Sequence, residues 1–509
     1  LIVMDLAYNF VELPTPKLSN VPMEFDRKVS FDMGNLYPIL VQDLVPGDRF
    51  HMQVSDIVRF APLVSPMYHR VDVKMRFFFV PNRLIWDKWE DFLLAHGSMS
   101  PLTFTFKEWY EHTDFTLPST GTLFDYMDFP TQLTNDWYKT NTEPIDLAPF
   151  RAYRLIWNEY FRAEQIQDEL PIFKDNDTLT YDEAVLMDNV LPIGWEKDYF
   201  TTALPAPQLG AAVDLPVKLQ ADGNFQLRTN STVPYRTNLA VGNNNVIIAQ
   251  NQTDISNIAL QYNSGLKAVG TIEELRQANH LQKWLEKGNL GTRYNEYILA
   301  NFGVSVPDYR IDRPEYIGGN VHPVQIGRVL NTADSSSSPL GSYAGQAEAT
   351  GKSDWIDYYA YEHGYIIGVM SVMPRSGYMQ GIERKYIRRD IFDWYFPDFA
   401  TLGDQEILND EIYARPGSDG MGTFGYTQRY AHYKYNSDKV NGDMRTTFDY
   451  WHMARIFSGA PALNAQFIQA DPTDRVFASE LTNELFGEFY FDIKMVRPMP
   501  LSVLPTIED

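Results

Sequence analysis

Apolar and polar side chains alternate most clearly near the two ends of the chain. In "VDVKMRFFFVP" (71–81), Val71, Val73, Met75, Phe77 and Phe79 alternate with Asp72, Lys74 and Arg76, the period of two that marks a half-buried strand. "FHMQVSDIVRF" (50–60) starts the same way at Phe50, Met52 and Val54 and changes register near Asp56, which predicts a bulge. The stretch between them, "APLVSPMYHR", carries two prolines and reads as a connector. Strand patterns return in "YEHGYIIGVMSVMP" (361–374), "GYTQRYAHYKY" (425–435) and "GEFYFDIKMVRPMP" (487–500). Two strand-rich ends with helices and loops between them predict a mainly β core, paired across the length of the chain and decorated by large insertions.

The middle of the chain follows other periods. Short helices are expected in "LIWDKWEDFLLAHG" (84–97) and in "PFRAYRLIWNEYFRAEQ" (149–165). On the second helix Arg151, Arg154, Asn158 and Arg162 fall within a stripe of about 80°, at 100° per residue. Phe150, Tyr153, Trp157, Tyr160 and Phe161 lie opposite. The aromatic face reads as core. The arginine stripe either pairs with the acidic residues around it or meets an external anion such as DNA phosphate. Residues 206–270 are rich in Gly, Asn, Gln and Thr and poor in charge, as a surface excursion of short strands and turns would be. A capped helix is expected over 271–288, with Thr271 and Glu274 as a capping box and Ile272, Leu275, Ala278, Leu281 and Leu285 on one face. The small-residue stretch 331–353 reads as a polar loop.

These patterns divide the chain into a first part of the β core (1–81), an acidic helix and loop insertion (82–205), a variable surface insertion (206–270), a capped helix with loops (271–360) and the remaining strands with the C-terminal segment (361–509).

Composition adds two constraints. The net charge of −23 argues against a surface that wraps nucleic acid as a whole. The acidity is regional, since residues 87–198 hold 22 Asp/Glu against 8 Lys/Arg, a balance of −14. Cysteine is absent, which removes disulfides, thiolate metal sites and cysteine nucleophiles. No apolar run reaches the roughly 18–20 residues that span a bilayer.

Catalytic motifs are weak. "GMGTFG" (420–425) fits G-x-G-x-x-G, but it lies between a loop and a strand pattern, whereas a dinucleotide loop needs a strand before it and a helix after it. His363 reads as a structural histidine at a strand start. No cofactor is expected, and a cation held between carboxylates cannot be placed. A second basic cluster, "GIERKYIRRDIF" (381–392), sets Arg384, Lys385, Arg388 and Arg389 together. On a helix, Arg384/Arg388 and Lys385/Arg389 are i,i+4 neighbours, forming a patch for phosphate or for salt bridges between subunits.

Several long strings together carry a family resemblance. "FDMGNLYPILVQDLVPGDRFHMQVSDIVRFAPLVSPMYHRVDVKMRFFFVPNRLIWDKWEDF", "PFRAYRLIWNEYFR", "LRQANHLQKWLEKGNLGTRYNEYI", "FGVSVPDYRIDRPEYIGG", "EHGYIIGVMSVMPR" and "ALNAQFIQADPTDRVF" resemble the major capsid proteins of microviruses, the small icosahedral single-stranded DNA phages, in their gokushovirus-like branch. The resemblance implies an eight-stranded antiparallel jelly roll with large helical and loop insertions. It also implies a non-enzymatic role: a sixty-copy T=1 shell in the virion, assembled in the bacterial cytoplasm around circular single-stranded DNA. The implied partners are a small basic DNA-packaging protein, a DNA pilot protein and a host surface receptor. By chain position 206–270 is then the host-facing insertion, with Lys218, Arg228, Arg236 and Asn244 as its candidate residues. The rival from another class is a β-sandwich carbohydrate-active enzyme or glycan-binding module, supported only by abundant acids and aromatics.

Overall fold

A computed structural model describes residues 18–94, 100–112, 120–131, 134–175, 178–208, 312–330, 343–416, 419–478 and 483–499. It also describes short backbone elements at 3–6, 9–12, 218–220, 225–229, 240–241, 247–248, 258–262, 267–269 and 272–288. The chain divides into two compact units, residues 1–207 with 304–509, and residues 208–303.

Two large sheets of the first unit are built from eleven strands: β1 (Ser19–Pro22), β2 (Phe25–Phe31), β3 (Tyr37–Leu44), β4 (Arg49–Phe60), β5 (Val71–Pro81), β6 (Glu315–Pro323), β7 (Gln325–Leu330), β8 (Tyr343–Lys352), β9 (Ile356–Tyr359), β10 (Gly364–Pro374) and β11 (Leu485–Arg497). A four-stranded sheet runs β6-β5-β10-β3. A seven-stranded sheet runs β7-β8-β4-β11-β1, with β9 also on β4 and β2 also on β11. Every pairing is antiparallel. Strands from the two ends of the sequence meet at β4 and β11, which pair from Arg49↔Val496 to Phe60↔Leu485. The result is an antiparallel β-sandwich of jelly-roll type.

One core lies between the sheets. Phe50, Met52, Val54 and Val58 of β4, Phe77 and Phe79 of β5, and Phe489, Phe491, Ile493 and Met495 of β11 are all buried in it. Each large side chain so buried contributes about 1.5–3 kcal/mol. A second core covers the other face of the small sheet. Phe78 and Val80 of β5 and Ile367, Val369 and Met373 of β10 pack there against Trp86, Trp109, Phe124, Phe150, Tyr153 and Trp157 of the 82–205 insertion. β5 is therefore buried on both faces rather than half-buried. The run "FFFV" is the trace of that double covering.

Three strand expectations change. β4 holds its pairing to β11 without a bulge. Asp56 stays on the inner face, 2% exposed, and Ile57 turns outward, 37% exposed. The apparent change of register was one polar residue placed inside, where His322 Nε2 lies 3.0 Å from Asp56 Oδ2. The second correction concerns 331–353. Residues 331–342 lie outside the described residues, but 343–352 form β8, paired to β4 and β7. Its small residues are packing requirements, since Ala347 and Ala349 are wholly buried and a Cβ on Gly345 would stand 2.4 Å from the Ser65 carbonyl oxygen. The third lies in 425–435, where only Thr423–Thr427 is strand, paired to Gln405–Leu408. The chain then turns at Tyr430, φ +63°, into a 3-10 turn at Ala431–Tyr433.

In the second unit three antiparallel strand pairs nest in sequence, Lys218–Gln220 with Lys267–Val269, Phe225–Thr229 with Ile258–Tyr262, and Ala240–Val241 with Ile247–Ile248. The expected helix forms at Ile272–Gly288; Thr271 of its capping box lies outside the described residues.

Candidate nucleic-acid interface

The first arginine-rich segment is α1 (Ala148–Tyr160), a helix opened by a proline in its first turn. Its aromatic face packs as expected. The Tyr153 hydroxyl donates to the Leu36 carbonyl at 2.6 Å, and the Trp157 indole donates to the Pro192 carbonyl at 2.7 Å. The opposite face is buried as well: Arg151 is 0%, Arg154 1% and Asn158 0% exposed. Arg151 makes a two-pronged pair with Glu183, Nε to Oε1 at 2.8 Å and Nη2 to Oε2 at 3.1 Å. Arg154 donates to the Pro171 carbonyl at 3.2 Å and lies 3.6 Å from the same Glu183. Glu183 is wholly buried on a short helix, Tyr181–Leu186, whose cap Thr180 also donates to it at 3.3 Å. Burial pulls the Arg154 guanidinium down to about 10, with Glu183 pushing the other way. Arg162, beyond the helix end, donates to the Asn158 and Gln167 carbonyls at 3.4 and 3.3 Å. Arg151 and Arg154 are thus corrected from candidate DNA contacts to core residues, because a guanidinium enclosed on all sides has no face for phosphate.

The second segment is not the helix its spacing suggested. Residues 384–386 make a single 3-10 turn and Ile387 is extended, so no i,i+4 patch forms. Arg384 points inward, 2% exposed, between Asp393 at 2.6 Å and Glu411 at 2.9 Å. It is corrected in the same way. Burial is the largest influence on both acids. It wins at Glu411, held above the usual carboxylate range, and loses at Asp393, held below it by the Arg389 N–H and the Arg384 charge. Arg389 pairs with Glu406 at 2.6 Å. Arg388 donates to the Asp393 carbonyl and lies 4.7 Å above Trp394 and 5.7 Å from Tyr433. Lys385 shares Glu383 with Lys439, each 2.5 Å away.

Sequence reading missed the acids that absorb these arginines. Glu183, Asp393 and Glu411 look like any others among 66 carboxylates. It also missed Lys439 and Arg445, which approach the turn from a distant loop and line a cavity with Lys385. One signal was available. Phe392, Trp394, Tyr395 and Phe396 are nearly consecutive and all exposed, 43–53%, an aromatic row that follows no buried periodicity.

Of the insertion residues, Lys218 and Arg228 lie on the paired strands Lys218–Gln220 and Phe225–Thr229, and Arg236 and Asn244 lie outside the described residues. His363 directly precedes β10, with its ring 5.4 Å from that of Trp89. Among the described residues, no group of three His, Asp or Glu is placed to hold a metal ion, and no helix is long and apolar enough to cross a membrane.

Comparison with known proteins is consistent over the whole length. The family described as Capsid protein (F protein) matches residues 13–507. Capsid protein VP1 of Chlamydia phage 1 is 32% identical over 590 aligned positions, covering 97% of each chain. Capsid protein VP1 of Bdellovibrio phage phiMH2K is 31% identical, covering 97% of this chain and 96% of that one. The protein of the same name from Spiroplasma virus 4 is 28% identical over 94% of this chain.

Proposed function

The chain belongs to the capsid protein (F protein) family, and from that premise we propose that sixty copies close into a T=1 shell around circular single-stranded DNA, with the 206–270 insertion turned to the host surface. It is a structural protein of the virion, a phage major capsid protein whose relatives are capsid proteins rather than enzymes.

The observation that carries the reading is the family match over 13–507, joined to a jelly roll whose two cores are complete within one chain. Copies of such a subunit meet through their surfaces, and closed symmetry then ends growth. The exposed aromatic row at 392–396 is the kind of surface that copies bury against one another. A chain at −23 cannot neutralise a genome, so a separate small basic packaging protein supplies that charge, and a DNA pilot protein accompanies it. The stretch 218–269, low in charge, rich in Asn, Gln and Thr and carrying short antiparallel strand pairs, suits an exposed arm whose sequence varies without disturbing either core.

Negative-stain microscopy of purified protein tests the shell. Closed particles of one diameter are expected, and a clean monomer at high concentration would sink the reading. Replacing 221–266 by a short turn tests the arm: particles should still close while adsorption to host cells is lost. Normal adsorption would remove the attachment role and leave the shell standing.

A further inference from the structure

The cations of the 384–389 segment are largely neutralised, yet the cavity beside them is not. This cavity of about 130 Å³ is lined by the Glu383–Lys385 turn, by Glu411 and His432, and by the loop from Tyr435 to Arg445. Its charged lining is Arg384, Lys385, Lys439 and Arg445 against Glu383 and Glu411, a surplus of two in a chain at −23. Arg384 is occupied by Asp393 and Glu411. Glu383 alone serves both lysines. Arg445 meets no carboxylate among the described residues and uses one nitrogen on the Val440 carbonyl. His432 adds no charge near neutrality, because burial and the Arg388 and Arg384 charges pull it down to about 4. Asp438 and Asp443 of the same loop are exposed and stand outside the lining.

We propose that this cavity binds a phosphodiester group of the enclosed single strand, held by Lys385, Lys439 and Arg445. The proposal rests on the capsid reading. Neutral donors, Asn436, Ser437 and Asn441, stand beside the cations and suit an anion with several oxygens, while Tyr199, Phe200, Tyr378 and Met379 form the apolar side of the cavity. Tyr435, 63% exposed, lines the cavity, and Tyr386, 72% exposed, follows Lys385. Each offers a flat ring on which a base can stack without regard to sequence. Phosphate contacts with stacking rings give binding that is salt-dependent and sequence-tolerant.

The test is binding of a fluorescent poly-dT oligonucleotide to purified full-length capsid protein over a series of salt concentrations. Lys439→Gln with Arg445→Gln should reduce the slope of log K against log salt by about 1.4, roughly 0.7 for each phosphate contact of a single strand. The charge-preserving K439R/R445K variant should keep the slope. An unchanged slope in the glutamine variant overturns the site. So does an equal reduction by Lys28→Gln with Lys494→Gln, which removes two exposed lysines elsewhere. Inorganic phosphate at constant ionic strength is the remaining arm. If it competes as well as the oligonucleotide does, the cavity is a free-phosphate site and the strand assignment falls. Microscopy of the same variants separates the two readings: closed particles with an unchanged slope reject the cavity alone, and absence of particles from the unmodified protein rejects the shell.

Discussion

The two arginine-rich segments differ in how many carboxylates reach them. Beside α1, two guanidiniums share the single carboxylate of Glu183, and all three side chains are at most 1% exposed. At the 384 turn the buried ratio is reversed, with one buried cation, Arg384, between Asp393 and Glu411, and Arg389 reaching Asp393 from a less buried position at 3.6 Å. Each site buries charge, and each holds one segment of the chain onto another. The contrast teaches that a run of arginines in an acidic chain says nothing about exposure. What decides is how many opposite charges the fold carries to the same place, and those come from residues 9, 27 and 32 positions away. Beside the 384 turn, positive charge survives at the surface where the lysines and Arg445 outnumber Glu383.

The largest predicted effects come from leaving either site unbalanced. Glu183→Gln abandons two buried cations and should cost about 3–5 kcal/mol, the usual range for breaking a buried pair. Arg384→Met takes the buried cation from two buried acids, leaving Asp393 with Arg389 and Glu411 with the Tyr199 hydroxyl, and should cost a similar or somewhat smaller amount. Urea unfolding of dissociated subunits measures both, and a loss below about 1 kcal/mol at either site would refute its burial. Acid separates the two. Lowering pH protonates Asp393 and Glu411 and should restore part of the Arg384→Met loss, whereas a guanidinium cannot shed its proton, so Glu183→Gln should not recover.

Within the first site the two arginines are unequal. Arg151 holds Glu183 with two hydrogen bonds, whereas Arg154 Nη2 is buried with no hydrogen-bond partner. Arg154→Met removes a crowded second cation and should cost about 1 kcal/mol, near the value of its hydrogen bond to Pro171. Arg151→Met should cost several times more. Equal losses would mean that Glu183 holds both cations equally.

A third cluster has acids and no cation. Asp32 accepts the Glu484 N–H at 3.1 Å, and Glu484 and Asp474 line the same cavity. Burial first, then the Asp474 and Asp32 charges, push the Glu484 carboxyl up to about 8 from its ordinary 4.5. The folded state therefore keeps a proton that the unfolded chain releases, so stability should fall as pH rises from about 4.5 to 8 and level off above. Glu484→Gln should flatten that part of a melting-temperature profile. An unchanged slope would assign it to other groups.

Much of the sandwich was legible in the sequence, because a half-buried strand writes its burial into every second residue, as β11 does. β8 was illegible for a physical reason: close approach to Ser65 selects Gly345 and full burial selects Ala347 and Ala349, and such small residues also compose loops. The aromatic face of α1 could be read from its period, but its arginine face could not, because burial of a charge depends on partners outside the window. The cavity at Lys385, Lys439 and Arg445 was legible only in half, since its residues are brought together by the fold.

The smallest effect belongs to pairs that stay in water, and it calibrates the others. Lys28 and Glu488 face each other across β2 and β11 at 3.1 Å, with side chains 70% and 51% exposed. Two solvated charges gain little by meeting and give up side-chain freedom to do so. Lys28→Gln should change stability by about 0.5 kcal/mol or less, with the difference vanishing at high salt. The same chemical change, loss of one charge from one pair, is predicted to matter several times more at Glu183. A loss at Lys28 as large as at Glu183 would mean that the outer face of the large sheet is covered in the subunit under study, as it would be if subunits were already associated. The measurement on Lys28 therefore has to be made at several protein concentrations, and only a concentration-independent result reports on the pair itself.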